Sequence, residues 1–74
     1  MKITLDRITD AVYIQLASFL DDASVVKTYP CDPIEVNGQI NLDFDAAGHL
    51  VGIEIMDASK RLPVELLREA EIVE

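Results

Sequence analysis

Residues 40–63, INLDFDAAGHLVGIEIMDASKRLP, contain the clearest structural pattern in this chain. Apolar residues alternate along two runs, Ile40, Leu42 and Phe44, then Val51, Ile53 and Ile55. A period of two is typical of strands with one buried face. The intervening residues 45–48 are Asp-Ala-Ala-Gly, which suit a type I turn with glycine at its last position. The stretch therefore predicts a β-hairpin.

The register of this hairpin follows from the length of its loop. With an even-numbered loop the opposing pairs are Phe44 with His49, Leu42 with Val51, and Ile40 with Ile53. These pairs place the large apolar side chains on one face. A three-residue loop would set Asp43 opposite Val51, so we favour the even loop. The other face is then predicted to hold Asn41, Asp43, Leu50, Gly52, Glu54 and Met56.

Shorter patterns on either side of the hairpin predict the rest of the fold. Further strands are expected at Lys2–Leu5, Ala11–Leu16 and Ser24–Tyr29, with a brief extended segment at Ile34–Val36. Lys27 favours an edge position for the third of these strands. Pro63 suits the first turn of a helix that runs to about Glu71. We predict an α+β fold in one small domain, residues 1–74: an antiparallel meander of about four to five strands with one C-terminal helix packed on it.

Charge limits the classes of partner. The 74 residues include 14 Asp and Glu against 6 Lys and Arg, for a net charge of −8. A polyanion would be repelled by such a surface, so we expect no nucleic-acid binding. A basic protein or a cation suits this charge better, although negative charge also simply maintains solubility.

The apolar content predicts association, and the single cysteine predicts a reducing compartment. Half of the residues are hydrophobic, which is high for so small a domain, so we expect a homodimer or a partner that covers apolar surface. No apolar run is long enough for a membrane span, and Cys31 has no second cysteine with which to form an internal disulfide. These features predict a cytoplasmic protein without membrane contact.

Two sequence blocks resemble a known family. The blocks are ITLDRITDAVYIQL, residues 3–16, and LDFDAAGHLVGIEIMDAS, residues 42–59. They resemble the bacterial family known as "domain of unknown function 2283", and the resemblance covers nearly the whole chain. It implies a small, mostly antiparallel sheet with a terminal helix, in cytoplasmic proteins of no assigned biochemical function. It implies no catalytic residue.

A calcium site is the sharpest motif hypothesis. Positions one, three, six and twelve of an EF-hand loop correspond to Asp43, Asp45, Gly48 and Glu54. Ala47 at the fifth position supplies no side-chain oxygen, and the flanking residues alternate as strands rather than helices. The candidate metal ligands are therefore Asp43, Asp45 and Glu54, and the alternative interpretation is a turn flanked by solvated carboxylates.

Catalysis has little support in this sequence. Asp43 and Glu54 share a predicted face and could form an acid and base pair. A chain of this size leaves little room for a substrate pocket, and no nucleophile with a base and an orienting group is recognisable. We expect no enzyme activity and no cofactor.

Two functions therefore remain open. The first is a non-catalytic protein-interaction or regulatory module that engages a basic partner, with neutralisation of a toxin as one form. The alternative is a homodimer that binds a small ligand or a divalent metal through Asp43, Asp45 and Glu54.

Overall fold

Six strands form one mixed sheet in the computed structural model, which describes residues 1–17 and 24–73. The strands are β1 (Lys2–Asp6), β2 (Ala11–Gln15), β3 (Lys27–Pro30), β4 (Ile40–Phe44), β5 (Leu50–Ile55) and β6 (Glu71–Ile72). Two short helices, α1 (Ala58–Arg61) and α2 (Val64–Glu69), lie between β5 and β6. Neighbouring strands follow the order β3-β4-β5-β2-β1-β6, and all pairs are antiparallel except β1 with β6. The predicted α+β class with a mostly antiparallel sheet is confirmed.

The predicted meander is wrong in strand number and in strand order. β2 pairs with β5, with Val12 opposite Ile55, instead of with β3. β5 lies in a central position between β4 and β2 and contributes the buried residues Val51 and Ile55. β3 is exposed along its length and ends at Pro30, which has no N–H to donate, so it lies at the edge, as Lys27 predicts.

The predicted register of the central hairpin is also wrong, because β5 contains a bulge. Next to the turn, Phe44 pairs with Leu50, the spacing of a three-residue loop. The register then shifts between Asp43 and Phe44, which leaves Val51 as an extra residue in β5. Beyond the bulge, Leu42 pairs with Ile53. The bulge compensates for the odd loop, so the apolar residues still share one face.

Two helices replace the single predicted C-terminal helix. Leu62 is extended between them, because the proline at position 63 disfavours helical conformation in the residue before it. α2 ends before Ala70, whose ψ of 140° turns the chain into the short strand β6. The predicted helix from Pro63 to about Glu71 is therefore wrong at its C-terminal end, where β6 pairs with β1.

The segment before β4 is a turn, not the extended piece predicted at Ile34–Val36. The N–H of Val36 donates to the carbonyl oxygen of Asp32 at 3.1 Å. The two terminal nitrogens of Arg61 donate to the carbonyl oxygens of Val36 and Asn37. The Arg61 side chain, at the end of α1, therefore holds the turn that precedes β4.

The core lies between one face of the sheet and the two helices. Val12, Ile55 and Ala58 form its buried centre. Partly buried residues pack around them: Ile3, Leu5, Ile14, Ile40, Ile53, Leu62 and Leu67. We call this side of the sheet the apolar face. α1 is fastened to it by Asp10, whose carboxylate accepts the Ser59 N–H at 3.1 Å and the Ser59 hydroxyl at 2.7 Å.

The opposite side of the sheet has no helix packed on it within the described residues. We call it the polar face, and the strand register gives its members as Lys2, Thr4, Asp6, Ala11, Tyr13, Gln15, Thr28, Pro30, Asn41, Asp43, Gly52, Glu54 and Glu71. Among the described helices the longest is α2, with 6 residues, and none is long and apolar enough to cross a membrane.

Candidate functional site

Two rows of side chains cross the polar face at right angles to the strands. The first row contains Tyr13, Glu54 and Asn41 on β2, β5 and β4. The second row contains Gln15, Gly52, Asp43 and Thr28 on β2, β5, β4 and β3. Residues that are directly opposite on neighbouring strands share a face, so these rows bring distant parts of the chain together.

Tyr13 crosses from the first row to the second. Its hydroxyl donates to Oδ2 of Asp43 at 2.7 Å, although β5 lies between their strands. The ring passes over Gly52, where a Cβ would lie 1.8 Å from the hydroxyl oxygen. A glycine at position 52 is therefore required for the tyrosine to reach Asp43.

Both carboxylate oxygens of Asp43 are hydrogen-bonded. Oδ2 accepts from Tyr13, and Oδ1 accepts from the Thr28 hydroxyl at 2.7 Å. Burial raises the pKa of the Tyr13 hydroxyl well above its usual value, and the hydrogen bond to Asp43 and the charges of Asp43 and Glu54 raise it further. Tyr13 is therefore held as a neutral donor, and Asp43 links β2, β4 and β3.

Glu54 is held by its neighbour in the first row. Nδ2 of Asn41 donates to Oε1 of Glu54 at 2.9 Å. Glu54 also lies directly opposite Tyr13 on β2. On the polar face, the carboxylates of Asp43 and Glu54 are thus each oriented by hydrogen bonds from side chains of other strands.

Asp45, the third candidate ligand, does not join this face. Its Oδ1 accepts the N–H groups of Ala47 and His49, both at 2.9 Å, and Oδ2 lies 3.3 Å from Nδ1 of His49. These interactions, chiefly the His49 N–H, lower the pKa of the Asp45 carboxyl below its usual value. Asp45 stabilises its own turn. Residues 1–17 and 24–73 contain no group of three His, Cys, Asp or Glu side chains that could hold a metal ion.

The side chains that hold the two carboxylates were not predicted from the sequence. Tyr13, Thr28 and Asn41 come from patterns that predict only strands. Gly52 was the available signal, because a glycine inside a strand often marks close approach of another group. Leu50 was expected on this face, but the bulge places it opposite Phe44 on the apolar face.

A shallow depression of about 230 Å³ borders the polar face beside Tyr13. The residues that line it include Asp6, Glu54 and Thr4. This volume lies below the range of roughly 300–1,000 Å³ typical of small-molecule sites. The depression is better suited to one protruding side chain than to a metabolite.

Comparison with known proteins identifies a family but no activity. A family model described as "Protein of unknown function (DUF2283)" matches residues 2–59, which include β1 to β5 and the start of α1. No curated protein and no solved structure matches the chain.

Proposed function

The chain belongs to the DUF2283 family of proteins of unknown function, and we propose that it is a non-catalytic interaction module whose polar face docks a basic protein. The observation that carries this proposal is the pair of oriented carboxylates, Asp43 and Glu54, on a sheet face with no described helix packed on it. A basic toxin that this chain neutralises is one partner of the required chemistry.

The depression beside Tyr13 supports a cationic side chain as the central contact. Two acidic residues, Asp6 and Glu54, and an aromatic residue, Tyr13, line it. An arginine from a partner can donate to a carboxylate and stack on a tyrosine ring at the same time. Tyrosine and arginine are also the residues most often found at energetically dominant interface positions.

The whole charge of the chain supports the same class of partner. A net charge of −8 accelerates encounter with a positively charged surface and repels acidic competitors. Binding that depends on this field weakens as salt concentration rises. The alternative, a ligand- or metal-binding homodimer, has only two of its three expected carboxylates on the polar face, so we rank it second.

The absence of an enzymatic role is part of the proposal, and the hydrogen bonding of Asp43 supports it. Both of its oxygens accept hydrogen bonds from protein side chains, which suits a positioned charge better than a proton-transfer group. Cytoplasmic localisation and a homodimer remain expectations from composition.

The test compares two doubly substituted proteins of equal charge. Asp43→Asn with Glu54→Gln removes the two hydrogen-bonded carboxylates at the centre of the polar face while keeping side-chain size. Glu65→Gln with Glu69→Gln removes two exposed carboxylates of α2 and serves as the control. Tagged wild type and both variants are recovered from the host's cytosol at low salt and analysed by native mass spectrometry, with circular dichroism to verify folding.

We expect one basic protein to accompany the wild type and the control, with affinity at least about tenfold weaker for the polar-face variant. Addition of salt should release the partner. The proposal fails if no basic protein is recovered, or if the polar-face variant retains the partner as well as the control does.

A further inference from the structure

The apolar face extends beyond the part that the helices cover. Its outer part comprises Tyr29, Leu42, Phe44 and Leu50, which pair across β3, β4 and β5. None of these four belongs to the cluster packed around Val12, Ile55 and Ala58. Tyr29 is 51% exposed and Leu50 is 38% exposed, and the other two are half-buried. We call these four residues the outer apolar surface.

The exposed area of the chain is larger than the average for a folded monomer of its mass. A folded monomer of 8.2 kDa is expected to expose about 4,500 Å². This chain exposes 5119 Å², an excess of about 600 Å². A specific interface of standard size removes about 800 Å² from each partner. The excess is about three quarters of the area that such an interface removes from one partner.

Charge identifies which partner suits this surface. Among the described strand positions on the apolar face, Lys27 is the only charged residue. The carboxylate that borders this surface, Asp45, accepts hydrogen bonds within its own turn, so a basic protein finds little to bind there. Two chains of net charge −8 can approach through this face with the least repulsion. A patch that meets its own copy across a two-fold axis needs no second complementary surface.

We propose that a second copy of this chain covers the outer apolar surface and forms a two-fold dimer. The dimer adds a second apolar layer to a chain whose described buried core is small: Val12, Val51, Ile55, Ala58 and Ala70. The polar face lies on the other side of the sheet, so the dimer leaves it open to other proteins.

The test measures mass in solution and uses two apolar residues that are both exposed in the monomer. Tyr29→Glu places a carboxylate in the outer apolar surface. Ile8→Glu makes the same charge change at a residue that is 81% exposed in the turn between β1 and β2, away from this surface. Sedimentation velocity over a concentration series gives the mass of each protein, and circular dichroism verifies that each remains folded.

We expect the wild type and Ile8→Glu to sediment as dimers of twice 8.2 kDa. Tyr29→Glu should dissociate with a Kd that is at least about 30-fold weaker. A wild type that stays monomeric up to about 100 μM overturns the proposal, and so does a Tyr29→Glu protein that dimerises as tightly as the control. The Asp43→Asn, Glu54→Gln protein should remain a dimer, so this proposal and the polar-face proposal can fail separately.

Discussion

At the scale of single residues, the polar face depends on a side chain that is absent. Gly52 has no Cβ, and this allows Tyr13 to pass over β5 and bond to Asp43. The alternation of apolar residues predicts that positions 13, 43 and 52 lie in strands. It does not predict their meeting, because the Tyr13–Asp43 contact depends on strand order and local sequence patterns do not specify which strands are neighbours.

Substitution of Gly52 by alanine should displace Tyr13 and break its bond to Asp43. Overpacking of this kind typically costs about 1–3 kcal/mol of unfolding free energy. Thermal and urea denaturation would measure the loss. In a Tyr13→Ala background the same glycine substitution should cost much less, because the ring that it clashes with is gone. Equal costs in the two backgrounds would show that Gly52 does not serve Tyr13.

The raised pKa of Tyr13 predicts a loss of stability in alkaline solution. An unfolded tyrosine ionises near pH 10, whereas folded Tyr13 stays protonated to a higher pH. Above pH 10 the unfolded chain therefore binds fewer protons than the folded chain. The free energy of unfolding consequently falls as pH rises. Below pH 10 the contribution of Tyr13 is fully present.

Urea denaturation of the wild type and of Tyr13→Phe over a pH series would measure this effect. The wild type should be the more stable protein at neutral pH, and its advantage should shrink as the pH rises above about 10. The comparison removes the effects of other groups that titrate in this range, because both proteins share them. A constant difference between the two proteins across the series would contradict the proposed environment of Tyr13.

At the scale of elements, features set by neighbouring residues were predictable from the sequence. Features that depend on distant parts of the chain were not. The Asp-Ala-Ala-Gly sequence predicts a turn, and Gly48 indeed has a positive φ of 86°. The bulge at Val51 was not predictable from the loop sequence. It restores the register that the three-residue loop would otherwise invert. The helix start after Pro63 was predictable because proline acts locally. The end of α2 was not, because it depends on β6 pairing with β1 at a large sequence separation.

Long-range hydrogen bonds fix the end of the sheet that faces α1. Asp10 holds the first turn of α1 through Ser59, and Arg61 in the last turn of α1 holds the carbonyl groups of Val36 and Asn37. A Cβ at Gly38 would lie 2.6 Å from a guanidinium nitrogen of Arg61. The four residues of α1 are too few for an independently stable helix. α1 therefore depends on its hydrogen bonds to two loops, one before β2 and one before β4.

At the scale of the whole molecule, the sheet has one apolar face that two short helices cover in part and one polar face that carries oriented carboxylates. Composition predicts both the excess of apolar residues and the negative charge, but it does not predict their separation onto opposite faces. That separation follows from the alternation of side chains along each strand once the strand order is established. The two proposed partners, a second copy and a basic protein, consequently do not compete for one surface.

A dimer that buries the outer apolar surface makes stability depend on protein concentration. If folded chains pair and unfolded chains do not, each tenfold rise in concentration adds about 1.4 kcal/mol per mole of dimer. For a dimer of this size, the melting temperature should rise by roughly 3–5 °C per tenfold step. Differential scanning calorimetry of the wild type and Ile8→Glu should show this rise, whereas Tyr29→Glu should melt at one temperature throughout. A wild type with a constant melting temperature would mean that no second copy covers its apolar surface, and that the chain is a stable monomer with this surface exposed.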